Sequence, residues 1–102
     1  MTKRVLMMGI ALAGMAAAGA AHAEHTGEMM AQTCAGCHGT HGRLAGDSAF
    51  MPLAGMSEGS FVKAMLDFQS GARPNTLMGP IAKGFNEAEI RSMAAYFAKQ
   101  PK

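Results

Sequence analysis

Two cysteines and a histidine stand close together in the segment Cys34-Ala35-Gly36-Cys37-His38. Positions i, i+3 and i+4 share one face of a helical turn, so both thiols and the imidazole can point at one flat ligand. This spacing is the attachment pattern of a c-type haem, in which the thiols bond to the porphyrin edge and the histidine binds the iron. The motif therefore predicts a chain folded around one haem c, held covalently by Cys34 and Cys37 with His38 as an axial ligand.

Two other kinds of site use similar residues. A Cys-x-x-Cys redox disulfide normally lies at the start of a helix within a βαβ pattern, and the sequence shows no such pattern. A zinc site could recruit Cys34, Cys37, His38 and His41. Four ligands within eight residues cannot easily surround one metal as a tetrahedron, however. The spacing favours haem attachment over both alternatives.

Residues 1–23 have the pattern of a secretory signal peptide. Lys3 and Arg4 precede an apolar run, and residues 21–23 form an A-x-A cleavage site. A membrane anchor is the weaker interpretation, because the run contains glycines and is too short to span a bilayer comfortably. We predict a periplasmic protein whose mature domain, residues 24–102, has no membrane span. Export agrees with the haem motif, because bacteria join c-type haem to the polypeptide outside the cytoplasm.

The predicted mature domain has no net charge, since it contains seven basic and seven acidic residues. Nothing in this composition indicates a nucleic-acid partner, because binding to nucleic acid needs a basic patch or stripe. A domain this short also buries too little apolar surface to be comfortably stable by itself. The haem is therefore expected to supply part of the core.

Hydrophobic spacing predicts three helices, without an alternating strand pattern. The first runs from about Gly27 into the haem motif, with Thr26 as its N-cap. The second begins near Ser57 or Ser60 and ends at Gly71, a C-terminal cap. Both helices are expected to turn an apolar stripe toward the haem.

The third helix has the clearest signals. Asn86 and Glu89 have the spacing of a capping box, and the helix is expected to end near Gln100. Its buried stripe is expected to contain Ile90, Met93, Ala94 and Phe97. The segments 39–55 and 71–84 are long loops rich in Gly and Pro, and such loops need something to wrap, a need that a haem suits.

The iron needs a sixth ligand, or else it keeps an open position for a substrate. The predicted mature domain has seven methionines: Met29, Met30, Met51, Met56, Met65, Met78 and Met93. Methionine is most often a core filler, and three fall on predicted helix stripes: Met30, Met65 and Met93. Met78 differs because it lies in a loop with two prolines and Gly79, which permits close approach to a ring. Of the competing histidines, His41 is too near His38 to reach the opposite face, and His25 lies at the predicted new N-terminus.

Four segments resemble small class I cytochromes c: CAGCHGTHG at 34–42, PLAG at 52–55, TLMGPIAKGF at 76–85 and MAAYF at 93–97. The resemblance extends over nearly all of the predicted mature domain. It is closest to one haem domain of the cytochrome subunit of flavocytochrome c sulfide dehydrogenase, and cytochrome c4-type domains are more distant relatives. The best-known subunits of that family carry two such domains, whereas this sequence contains one attachment motif.

The resemblance implies an all-α, small class I cytochrome c fold of three to four helices wrapped around one covalently bound haem. It implies His38 as the proximal and Met78 as the distal axial ligand, with Cys34 and Cys37 as thioethers. It also implies that the Pro52 carbonyl accepts the Nδ1–H of His38, a bond that fixes the tautomer. The terminal helices are expected to cross at Met30, Met93 and Tyr96.

These expectations favour electron transfer, not catalysis by this chain alone. A haem with both axial positions filled has no vacant site for a substrate, and a methionine ligand raises the reduction potential. The resemblance implies a cytochrome subunit that accepts electrons from a flavin-binding sulfide dehydrogenase subunit. Zero net charge favours such a lasting complex slightly, because shuttles often use a ring of charges of one sign, whereas lasting complexes rely more on apolar contact. The alternatives are a free-standing shuttle between a reductase and a terminal oxidase, and a five-coordinate haem enzyme or sensor.

Overall fold

The computed structural model describes residues 26–46 and 50–102, so the predicted signal peptide and His25 lie outside the described residues. The described residues form helices and no strands, which confirms the all-α prediction. The α-helices are α1 Gly27–Ala31, α2 Ala35–His38, α3 Glu58–Ser70, α4 Met78–Ala82 and α5 Glu87–Ala98. Short 3₁₀ turns occupy Gln32–Cys34 and Thr40–Gly42. None of the described helices has the length and apolar character needed to cross a bilayer.

The predicted first helix is confirmed as a nearly continuous helical path that carries the haem motif. Thr26 caps its start, because Thr26 Oγ1 accepts a hydrogen bond from the Met29 amide at 3.1 Å. The path tightens into the 3₁₀ turn after α1, continues as α2 and ends at His38. Gly39 terminates it with a φ of 85°, a backbone conformation that suits glycine. The motif residues therefore all lie on this one helical segment.

The second predicted helix corresponds to α3, and the structure selects Ser57 as its N-cap. Ser57 Oγ accepts a hydrogen bond from the Ser60 amide at 3.2 Å. Gly71 ends the helix in the left-handed conformation, as predicted. Phe61 and Met65 are buried on its inner face.

The third predicted helix corresponds to α5, with the expected capping box. The Asn86 side chain accepts from the Glu89 amide at 2.8 Å, and the Glu89 side chain accepts from the Asn86 amide at 2.9 Å. The helix ends at Ala98, two residues before the predicted end at Gln100. Its predicted stripe is completely buried: Ile90, Met93, Ala94 and Phe97.

Helix α4 lies where the sequence predicts an irregular loop. Its five residues are too few to produce a detectable hydrophobic period. Pro80 is accommodated because it lies in the first turn, where backbone N–H groups have no partner within the helix. Met78 is therefore the first residue of a short helix and not, as predicted, part of an irregular loop.

The core lies where α5 packs against α1 and α3. The rings of Phe61 and Phe97 meet there, with centroids 5.5 Å apart. The three methionines that fall on helix stripes are buried as predicted: Met30, Met65 and Met93. These side chains form one cluster, and Met78 and Cys34 pack against its edge.

Gly27 determines how closely α1 can approach α5. A Cβ atom built on Gly27 would lie 2.2 Å from the backbone oxygen of Ser92. Because that obstacle is backbone, a side-chain rotation cannot relieve it. The first and last helices thus cross at a glycine contact, beside the buried Met30 and Met93.

We expect Gly27→Ala to destabilise the fold by about 2 kcal/mol, a typical cost of overpacking a tight contact. Gly59→Ala is the matched control, because a Cβ at this α3 position would meet nothing within 4 Å. The control should be neutral or slightly stabilising, since alanine favours helix. Thermal unfolding followed by circular dichroism measures both. Equal melting temperatures would contradict the close crossing.

Candidate haem site

A cavity of about 390 Å³ lies between α3, α4 and the helical path that carries the haem motif. Cys34, Cys37 and His38 line it from the motif, and Met78 lines it from the start of α4. Most of the remaining wall is aliphatic or aromatic, with Phe61 and Phe68 contributed by α3. The structure therefore brings all four predicted attachment and ligand residues to a single cavity.

The chemistry of this lining fits a covalently attached haem. Both cysteines are free thiols, as thioether formation requires. A porphyrin needs apolar walls, an imidazole and, for a filled sixth position, a soft donor such as a thioether, and the cavity supplies all of these. Over residues 26–46 and 50–102, no group of three or more His, Cys, Asp or Glu side chains is arranged to hold a bare metal ion. The tetrahedral arrangement that a zinc site needs is thus not formed there.

A hydrogen bond at Nδ1 orients the His38 ring. His38 Nδ1 lies 2.5 Å from the carbonyl oxygen of Met51, and Phe50 packs edge-on to the imidazole with ring centroids 6.2 Å apart. With Nδ1–H donating to this carbonyl, Nε2 is left as the acceptor that can bind a metal.

The prediction that Pro52 supplies this carbonyl is wrong, because the acceptor belongs to Met51. The two residues share one peptide bond, and the Pro52 ring restricts the backbone of Met51 to extended conformations. Pro52 itself is exposed and lines a separate hollow beside Arg43 and Lys102. The accepting carbonyl therefore belongs to the peptide group one residue earlier in the chain than predicted.

Cys34 is the more buried of the two thiols. Burial raises the pKa of the Cys34 thiol; the contact with the Thr33 hydroxyl opposes this rise, and the neighbouring Cys37 adds to it. A redox-active cysteine needs a lowered pKa, because the thiolate is the reactive form. Burial moves the pKa of the Cys34 thiol in the opposite direction.

Four methionines line the cavity, so Met78 has competitors. Met65 lies in the core with 4% of its surface exposed, and Met56 is half-buried beside it. Met51 is 48% exposed, and its backbone carbonyl already contacts the proximal histidine. Met78 is half-buried, and it lines the cavity from the first position of α4.

His41 lies outside this cavity and turns toward α5. Its Nδ1 and the hydroxyl of Tyr96 form a hydrogen bond, and the centroids of the two rings lie 6.2 Å apart. His41 has a φ of 55°, unusual for a residue with a side chain. This contact ties the end of the motif to the last helix.

The sequence patterns do not predict several side chains of the cavity wall, among them Phe50 and Arg73. Arg73 is the charged side chain of the lining, and its guanidinium lies 5.1 Å from the centre of the Phe68 ring. Both residues lie in irregular segments, where no periodic pattern marks the direction of a side chain. Their positions depend on packing between segments, of Phe50 against His38 and of Arg73 against Phe68.

No protein-family model matches the sequence. The chain is 39% identical to the cytochrome subunit of sulfide dehydrogenase of Chlorobaculum tepidum, over 78% of this chain and 70% of the relative. It is 38% identical to the thiosulfate dehydrogenase electron acceptor of Stutzerimonas stutzeri, over 70% of this chain and 33% of the relative. It is 34% identical to cytochrome c4 of Pseudomonas aeruginosa, over 93% of this chain and 46% of the relative. The chain thus spans most of the first relative and less than half of the other two.

Proposed function

Since the chain belongs to the class I cytochromes c, electron-transfer proteins with a covalently bound haem c, we propose that His38 and Met78 ligate its iron and that it serves a flavin-binding sulfide dehydrogenase in the periplasm. When bound, the haem supplies one-electron reduction and oxidation of its iron. Cys34 and Cys37 hold it through thioether bonds. The observation that carries the ligation is the shared apolar cavity onto which both axial candidates open.

The chain's own groups fit these roles. Met51 O accepts from Nδ1 of His38, which holds the imidazole in one orientation and raises its basicity. The sulfur of Met78 is a soft donor that favours the reduced iron. The Arg73 guanidinium, at the cavity, can neutralise a carboxylate of the porphyrin. If His38 and Met78 both held the iron, no coordination position would remain for a substrate, and the haem would supply electron transfer alone.

Residues 1–23 are proposed as a cleaved signal peptide, and residues 24–102 as one monohaem domain. The periplasmic location is supported by this leader pattern and by the bacterial c-type cytochromes to which the chain is similar.

The proposed partner is supported by the relative at 39% identity, whose name is cytochrome subunit of sulfide dehydrogenase. A lasting complex relies on apolar contact, and apolar side chains are exposed at the cavity: Phe50, Met51, Leu77 and Ile81. The similarity to a thiosulfate dehydrogenase electron acceptor supports a second candidate, a shuttle that binds its donor transiently.

Purification from native cells at low and at physiological salt distinguishes the two candidates. We expect the haem chain to co-elute with a flavoprotein at both salt concentrations, and sulfide to reduce the haem in this complex. The isolated haem chain treated with sulfide is the control for direct chemical reduction. A monomeric haem chain without flavin would favour the shuttle and contradict the proposed subunit.

A further inference from the structure

Two amide side chains hold the short helix that carries Met78. We propose that Gln69 and Asn75 position Met78 at the haem iron, an inference that rests on the proposed ligation. We call this pair the α4 clamp. Gln69 binds the carboxyl end of α4, and Asn75 binds its amino end.

Gln69 connects α3 to the end of α4. Its Nε2 donates to the carbonyl of Ala82 at 2.7 Å and to the carbonyl of Phe85 at 2.8 Å, so both amide protons are used. The last carbonyls of a helix have no partner within that helix. The Ala82 carbonyl also accepts from the Phe85 amide at 3.2 Å, so Gln69 adds a second donor there and supplies a donor to the Phe85 carbonyl. Gln69 thus anchors both carbonyls to a thirteen-residue helix.

Asn75 binds the other end of α4 next to the ligand itself. Its Oδ1 accepts from the Gly79 amide at 2.6 Å, and its Nδ2 donates to the Arg73 carbonyl at 2.9 Å. The Gly79 amide belongs to the peptide group that directly follows Met78. A Cβ on Gly79 would lie 2.7 Å from Asn75 Oδ1, so the glycine keeps room for this contact. Asn75 therefore fixes the backbone from which the Met78 side chain extends.

The clamp is needed because α4 cannot orient itself. A five-residue helix is too short to be stable alone, and Leu77 at its N-cap position makes no side-chain cap. Only contacts with the rest of the chain determine where its first residue lies. The direction of the Met78 thioether thus depends on hydrogen bonds at both ends of the helix.

The test removes the donors and acceptors without adding charge. In Gln69→Leu and Asn75→Leu, the reduced protein should bind carbon monoxide about tenfold faster than the parent, because losing hydrogen bonds of this kind favours detachment of Met78 by about that factor. The thioether-to-iron charge-transfer band of the oxidised protein should weaken in parallel. Asn75→Asp retains the acceptor for Gly79 but loses the donor to the Arg73 carbonyl, so it should restore both signals in part.

Gln100→Leu is the matched control, since the Gln100 amide donates to the Tyr96 carbonyl on α5, away from α4. It should bind carbon monoxide at the parent rate. Asn75 lies at the surface, so its variants test the clamp even where Gln69→Leu fails to fold.

The outcomes separate the two proposals. A parent protein that binds carbon monoxide rapidly and lacks the charge-transfer band would overturn Met78 ligation, and the clamp with it. A parent that binds carbon monoxide only slowly, together with folded Asn75→Leu and Gln69→Leu proteins that bind it no faster, would overturn the clamp alone.

Discussion

Replacing Met78 by alanine is expected to turn a protein that excludes carbon monoxide into one that binds it rapidly and stoichiometrically. The substitution removes the soft sulfur ligand, so the reduction potential should fall by on the order of 0.1 V or more, within the roughly 0.8 V range that axial ligands span. The fold should persist, because Met78 is half-buried and lies at the edge of the core. Optical titration with carbon monoxide and potentiometry measure the two effects.

Two other methionines at the same cavity provide matched controls. Met51→Ala retains the backbone carbonyl that contacts His38, and Met56→Ala truncates a half-buried side chain. Both variants should still exclude carbon monoxide. If Met56→Ala opened the haem and Met78→Ala did not, the sixth ligand would be Met56. If the parent bound carbon monoxide rapidly, the five-coordinate alternative would replace the electron-carrier proposal.

The parts of the fold that the sequence predicts depend on interactions within one turn of helix. Thr26, Ser57 and Asn86 each cap a helix through a residue three positions away, so the pattern and the contact are both local. The stripe along α5 is similarly local, and all of it is buried. The haem motif belongs to this class as well, because its spacing alone places its three groups on one helical path.

The parts that the sequence does not predict depend on contacts between distant segments. The carbonyl that accepts the hydrogen bond from His38 belongs to Met51, 13 residues further along the chain. The predicted acceptor, Pro52, is the next residue. Gln69 reaches Ala82 and Phe85 across 13 and 16 residues. No hydrophobic period or capping motif encodes such pairings. Helix α4 is missed for the same reason, since it is stabilised from outside.

The cavity also indicates that cofactor and fold depend on each other. Helix α3 buries Phe61 and Met65 against α5 on one side, yet these residues and Phe68 also face the cavity. Without the haem these apolar side chains would face solvent, so their burial on this side depends on the porphyrin that fills the cavity. A small domain is stable by only ~5–15 kcal/mol, so burial on this side of α3 matters to the fold.

We therefore expect the Cys34→Ser, Cys37→Ser double variant to be largely unfolded, because it cannot retain the haem covalently and its apolar walls lose the body they enclose. Far-UV circular dichroism should show most of the helical signal lost, without a cooperative melt. Cys37→Ser alone keeps one thioether at the more buried Cys34 and should melt between the double variant and the parent. A double variant that is helical and melts cooperatively would show that α1, α3 and α5 form a sufficient core by themselves, and that the protein folds without covalently bound haem.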